Sequence, residues 1–334
     1  MQTKSIERRR ERAAMRTYAC RAGLAAAAAT AVLAAADAHA EVRARFSQAS
    51  GLLTVVGGRD DDRILVSRSF GGLIHVNEGA TPVLGGVPNV GNTRRVVIRG
   101  SSGDDRIELD ERNGALPQAV LAGGPGNDLL RGGSGDDDLR GGPGDDTLIG
   151  SRGHDRIRGD GGDDTIDWFG GEGADRIDGG AGRDRVQIRA PKLQENDIDL
   201  LPDGRKVVVL FDGASPLRLE NLRVERFILH GGDLRDIVTA SPSLGKGVTL
   251  SVYGGEGDDI ITGTDGADTL VGNGGHDTII GLGGNDYLVG ESGDDTLAGG
   301  DGDDALHGGS GRDSLDGGPG IDVAEEGEIV INVP

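Results

Sequence analysis

Aspartate recurs at a fixed spacing through two long stretches of this 334-residue chain. The first set is Asp128, Asp137, Asp146, Asp155, Asp164, Asp175 and Asp184. The second is Asp259, Asp268, Asp277, Asp286, Asp295, Asp304, Asp313 and Asp322. The step is nine residues throughout, except for eleven between Asp164 and Asp175. Evenly spaced carboxylates suit a hard cation, because calcium takes about six to eight oxygens from carboxylates and backbone carbonyls at about 2.3–2.6 Å. Acid–base catalysis instead needs two carboxylates set apart from the rest by their surroundings. Here every unit carries the same residue, which favours repeated metal sites. The one cysteine, Cys20, and six scattered histidines give no zinc or soft-metal pattern.

The elements that must position these carboxylates are nine-residue units. From Gly123 the chain reads GGPGNDLLR, GGSGDDDLR, GGPGDDTLI, GSRGHDRIR and GDGGDDTID. After two extra residues, Trp168 and Phe169, come GGEGADRID and GGAGRDRVQ, ending at Gln187. A second run of eight units extends without a break from Gly254 to Glu325. Positions one and four are Gly and position six is Asp in all fifteen units. Position eight is Leu, Ile or Val in all but the last, where it is Ala324. Low-complexity disorder does not hold two residue types in phase over so many units.

Of the 62 glycines, 42 lie in these units, where positions one, two and four are expected to take positive φ and turn carbonyls inward. Position eight is expected to fill a thin apolar column. Leu130, Leu139, Leu148, Ile157 and Ile166 begin one set, and Ile261, Leu270, Ile279, Leu288, Leu297, Leu306 and Leu315 form the other.

The pattern G-G-x-G-x-D-x-U-x resembles the repeats-in-toxin, or hemolysin-type, calcium-binding nonapeptide family. The resemblance implies an all-β fold: a right-handed parallel β-roll in two calcium-binding arrays joined by irregular β-coils. Six residues of each unit would form a turn, three a strand, and two units one coil. The fifteen aspartates would be the metal ligands and Ca2+ the cofactor, with roughly ten ions. Ions shared between turns two units apart give about six in the unbroken array and about five in the other, and the Trp168-Phe169 insertion is expected to remove one or two.

Coils about 4.8 Å apart would set position-six carboxylates against each other with a repulsion of roughly 3–4 kcal/mol at an effective dielectric of about 20. A dication between them reverses the sign. Without it the thin core is not expected to offset an ordering cost of about 1–2 kcal/mol per residue, so calcium binding and folding are expected to be one event.

Residues 41–122 read as a β-rich segment with two damaged units, GGRDDDRIL from Gly57 and GSSGDDRIE from Gly100, expected to bind calcium weakly or not at all. Residues 188–253 read as bridging β-coils with a hairpin at Pro202-Asp203-Gly204 and a degenerate unit, GGDLRDIVT, from Gly231. The arrays occupy 123–187 and 254–325, and 326–334 is a short tail. His154 and His276 fall at the variable fifth position, as solvated turn residues. Trp168 and Phe169 are expected to pack over a coil junction.

Residues 1–40 have the order of a secretory signal peptide: basic residues, an apolar run from Leu24 to Ala36, then Ala38-His39-Ala40. That run is shorter than the roughly 20 residues a membrane-spanning helix needs, and a start at Met15 would give a leader of more usual length. Cleavage after Ala40 removes seven basic and three acidic residues together with Cys20, leaving 28 against 53, a net −25 from −21. Such acidity disfavours nucleic acid and anionic membranes. Family members commonly leave by a type I system that reads a C-terminal signal; here the leader points to general secretory export, and membrane-lytic activity is not expected.

No H-E-x-x-H, G-x-S-x-G or P-loop pattern occurs, so an enzyme is not expected. The reading is a secreted or cell-surface calcium-binding protein with a structural or adhesive role, whose partner would be a cell-surface or matrix component. Two alternatives stand beside it: an extracellular hydrolase with an unrecognised catalytic segment, and an ice- or carbohydrate-binding module. Thr147, Thr165, Thr269, Thr278 and Thr296, at position seven, are too intermittent to favour the last.

Overall fold

The computed structural model describes residues 42–334 except 171, 193, 204–205, 212–213, 220–223, 246–247, 328 and 332–334. The leader expected over 1–40, with Cys20, lies outside the described residues. The protein is all-β, with 2% helix, and forms a parallel β-solenoid of about 10 turns. Among the described residues the strands fall into two sheets, of seventeen and thirteen strands.

Short aliphatic-centred segments make these strands because alternate residues face opposite sides. Thr147–Ile149 pairs in parallel with Leu129–Arg131 on one side and Thr165–Phe169 on the other, setting Leu148 between Leu130 and Ile166. The unit between them in sequence goes to the other sheet, where Leu139 pairs with Ile157 and Ile157 with Ile177. Two units therefore make one coil. In the second array Ile261, Ile279, Leu297 and Leu315 follow each other in one sheet, and Leu270, Leu288, Leu306 and Ala324 in the other. All of these except Ala324 are buried and belong to one continuous core.

The solenoid starts before the regular units. Leu52–Val56 runs parallel to Arg95–Arg99, and Arg63–Arg68 parallel to Arg106–Asp110. Arg43–Ser47 then folds antiparallel onto Leu52–Val56, with Phe46 buried over the end of the core. A terminal coil without a neighbour exposes both core and sheet edge, and an antiparallel hairpin covers both.

Between the arrays one sheet passes from Arg185–Arg189 through Arg226–Gly232 to Thr249–Glu256. The other is widened by a three-stranded antiparallel meander, Asp197–Asp203, Lys206–Phe211 and Ala214–Leu219, inserted between Arg176–Ala181 and Ile237–Ala240. The first two strands of the meander form a hairpin, but Pro202 and Asp203, expected in its turn, belong to the strand, opposite Val207 and Lys206; Gly204 lies outside the described residues. Ile198, Leu200, Val207 and Val209 are buried, so the meander extends the core. Trp168 is buried and Phe169 faces outward beneath Arg189, whose guanidinium lies 5.0 Å from the ring centre. Among the described residues no helix is long and apolar enough to cross a membrane.

Candidate metal-binding loops

The strands hold the position-six residues at the loop ends of each coil, with the side chains turned inward. All fifteen aspartates are at most 4% exposed. The backbone N–H of eleven of them donates to Oδ1 of the aspartate one coil further on, as from Asp128 to Asp146 at 2.7 Å, Asp146 to Asp164 at 2.8 Å, Asp259 to Asp277 at 2.9 Å and Asp286 to Asp304 at 2.8 Å.

These bonds run in four columns among the described residues. One runs from Asp62 through Asp105, Asp128, Asp146, Asp164 and Asp184 to Glu225. A second joins Asp137, Asp155 and Asp175. A third runs Asn196, Asp236, Asp259, Asp277, Asp295, Asp313, and a fourth Asp268, Asp286, Asp304, Asp322.

The columns contain residues outside the regular units. Asp62, Asp105 and Asp236 are the position-six residues of the three damaged units; Asn196 and Glu225 hold the same place where no nonapeptide is legible. Their signal is an acid or amide two residues before a buried aliphatic or aromatic residue, Ile198 or Phe227, and only the strand register exposes it. The Trp168-Phe169 insertion does not interrupt the columns: Asp155 still donates to Asp175 and Asp164 to Asp184, now over 20 residues. The extra residues lengthen a strand pair, Phe169 opposite Arg189, and the Trp168 indole bonds the Asp175 carboxyl.

The second carboxylate oxygen differs from the first. Oδ2 of Asp105, Asp128, Asp146, Asp155, Asp164, Asp184, Asp259, Asp277, Asp286, Asp295, Asp304, Asp313 and Asp322 is buried without a hydrogen-bond partner. Leaving a buried acceptor unmet costs about 1–3 kcal/mol, more for a charge. Burial accordingly pushes the carboxyls up against the opposing pull of the ladder N–H: to about 7 for Asp105, Asp146, Asp164, Asp259 and Asp286, and to about 9 for Asp155. Aspartates in adjoining coils add repulsion, as Asp128 and Asp164 do at Asp146.

The glycines explain how the oxygens are packed, and the role expected of position one needs correcting. Position-one glycines such as Gly123, Gly141 and Gly272 do not adopt positive φ. A methyl group there would overlap Oδ2 of the aspartate five residues on, so the hydrogen makes room for the carboxylate. Positive φ belongs to positions two and four, as at Gly142 (127°) and Gly144 (135°). These stand over the carbonyl oxygens of Gly124 and Gly126 one coil below. Stacked carbonyls and buried carboxylate oxygens thus share the loop interior.

Among the described residues no three His, Cys, Asp or Glu side chains converge on one point. A cation held here would take carboxylate oxygens from the columns and the rest from backbone carbonyls, a hard oxygen set that fits calcium.

Position five forms an outer ladder. Asp145 N–H donates to Asn127 Oδ1 and Asp163 N–H to Asp145 Oδ1, each one coil back. His154 and His276 join it: Nδ1 of each accepts the backbone N–H of Ala174 and Asp294, at 3.0 and 2.8 Å. They are therefore acceptors in a ladder as well as solvated turn residues.

Comparison with known families agrees with this geometry. The RTX calcium-binding nonapeptide repeat matches residues 90–111, 120–148, 140–167, 169–187, 253–288 and 289–324. The chain carries RTX calcium-binding repeats. The first matched stretch contains Asp105, and the matches pass through both arrays on either side of the meander. No curated protein matches the chain. The RTX loops are the calcium-binding part of the molecule, and the solenoid is their scaffold.

Proposed function

We propose that this is an exported calcium-binding RTX solenoid whose coils fold as calcium fills the loops, and whose role is structural or adhesive at the cell surface or in the matrix, without catalysis. The observation that carries the reading is the set of buried Oδ2 atoms, each lacking a partner, stacked coil upon coil. A divalent cation satisfies such a column without new protein donors, and a metal-free column of ionised carboxylates costs both desolvation and mutual repulsion. The ligands proposed are drawn from the position-six aspartates of the loops, with backbone carbonyls of positions two and four completing each shell, and the ions number roughly ten.

Export rests on the leader-like residues 1–40 and on the kind of repeat. Millimolar calcium outside the cell is enough for weak extracellular calcium modules, whose dissociation constants are about 10⁻⁴–10⁻³ M. Folding would then follow export. Circular dichroism with and without millimolar calcium tests the coupling: a β-rich spectrum in calcium and a largely unordered one in chelator are expected, and a β-rich spectrum in chelator contradicts it. Calcium-dependent binding to the producing cell's surface, measured on the exported protein, tests the adhesive role.

A further inference from the structure

The loops exist in two conformations, and the difference follows position in the column. Where position two is left-handed, Oδ2 of the same unit is unpartnered. Ser101 (φ 102°) goes with Asp105, Gly142 (127°) with Asp146, Asn273 (77°) with Asp277 and Leu282 (82°) with Asp286. Among the described residues four loops depart from this. Gly58, Gly133, Gly232 and Thr264 are not left-handed, nor are Asp60, Gly135, Leu234 and Gly266 at position four. In three of them, those of Asp62, Asp137 and Asp268, the position-two N–H turns onto Oδ2 of its own unit. Gly58 donates to Asp62, Gly133 to Asp137 at 2.8 Å, and Thr264 to Asp268 through both N–H (2.6 Å) and Oγ1 (3.0 Å).

These three are the first aspartates of their columns. No repeat loop lies beneath them to stack against: Gly133 stands over Glu111 Oε1 and Leu109, and Gly135 over the Gln118 backbone, where Gly142 and Gly144 stand over carbonyl oxygens. Asp137 is the clearest case. Its Oδ1 accepts Ala119 N–H at 2.7 Å and its Oδ2 accepts Gly133 N–H, so both oxygens are taken by backbone. At Asp268 the closure is at Oδ2, held twice by Thr264, and the Leu250 backbone also draws on the carboxyl.

We infer that the closed loops at the head of three columns, those of Asp62, Asp137 and Asp268, are caps that do not ligate calcium, so that Asp137, inside a regular unit, is not a ligand whereas Asp105, in a damaged one, is. An ion at Asp137 would have to displace a formed hydrogen bond and invert the position-two peptide; at Asp105 or Asp146 it meets a free buried oxygen. Membership of the calcium set is decided by whether a loop lies underneath, and the nonapeptide pattern does not report that.

The inference rests on the calcium reading above. Its test is equilibrium dialysis of the full chain with radioactive calcium at saturation, with circular dichroism confirming folding. Asp137→Asn should bind as many ions as the unmodified chain, and Asp105→Asn and Asp146→Asn at least one fewer each. Loss at Asp137→Asn equal to that at Asp146→Asn, or no loss at Asp105→Asn, overturns the inference and leaves the calcium reading standing. An unmodified chain that binds no calcium overturns both. Anomalous difference density in crystals of the unmodified chain grown with calcium decides the case even where a variant fails to fold. Peaks beside Asp105 and Asp146 with none at Asp137 are expected, and a peak at Asp137 contradicts the proposal.

Discussion

The two arrays share an interior and differ outside. In 123–187 the outward strand positions carry Arg156, Arg158, Arg176 and Arg185 beside Asp138 and Asp167, with Arg158 3.4 Å from Asp138 and Arg189 3.1 Å from Asp167. In 254–325 the corresponding positions are Ile260, Thr262, Thr278, Ile280, Thr296 and Ala298, and Arg312 is the one basic residue apart from histidine. One array also absorbs an insertion that the other lacks. Yet both keep the same ladder bond, the same buried Oδ2 and the same aliphatic column. Loop and core positions are fixed by neighbours above and below, while the outward faces answer only to solvent or a partner.

That contrast yields graded expectations. The largest effects should come from the shared column: Leu148→Ala and Leu288→Ala should each cost about 2–5 kcal/mol, read as a higher calcium concentration at the folding midpoint. Similar losses in both arrays would support a common interior; a loss in one alone would separate them. Next, Gly144→Ala and Gly293→Ala place a side chain on left-handed backbone (φ 135° and 133°) against the Gly126 and Gly275 carbonyls. Strain of this kind costs on the order of 1–3 kcal/mol, measurable by thermal unfolding in calcium.

Acidity should act with opposite sign with and without the ion. Carboxyls at Asp146 and Asp259 sit near 7 in the fold, raised by burial from an ordinary 3.8. Without calcium the fold therefore holds protons that the unfolded chain has released. These groups oppose folding fully above about pH 7, and the penalty fades as pH falls from 7 towards 4. With calcium, protons compete for the ligands, so apparent affinity should fall between pH 8 and 6, by up to about tenfold per pH unit for each proton displaced. Calorimetry in buffers of different ionisation enthalpy would register the released protons. The smallest effect belongs to the faces: Arg158→Ala should change stability by less than about 1 kcal/mol, and Thr278→Ser in the other array by no more.

Much of this was legible in the sequence. Asp at position six and an aliphatic at position eight, eighteen residues from their counterparts in the next coil, define the columns and the two-unit coil without coordinates. The role of Gly141 was not, since a glycine kept for close approach to Asp146 reads the same as one kept for positive φ. Glu225 and Asn196 were hidden because their ladder partners, Asp184 and Asp236, lie 41 and 40 residues away across the meander. The closure of Asp137 was hidden for a related reason: GGSGDDDLR is a regular unit, and what differs is the backbone beneath it.

Calorimetric titration of the full chain with calcium, followed in parallel by far-ultraviolet circular dichroism, tests the central claim most directly. The account predicts uptake of several ions, roughly ten, in a cooperative transition that coincides with the gain of β-structure. Uptake of no more than one or two ions, or a full β signal before any calcium is added, would contradict it.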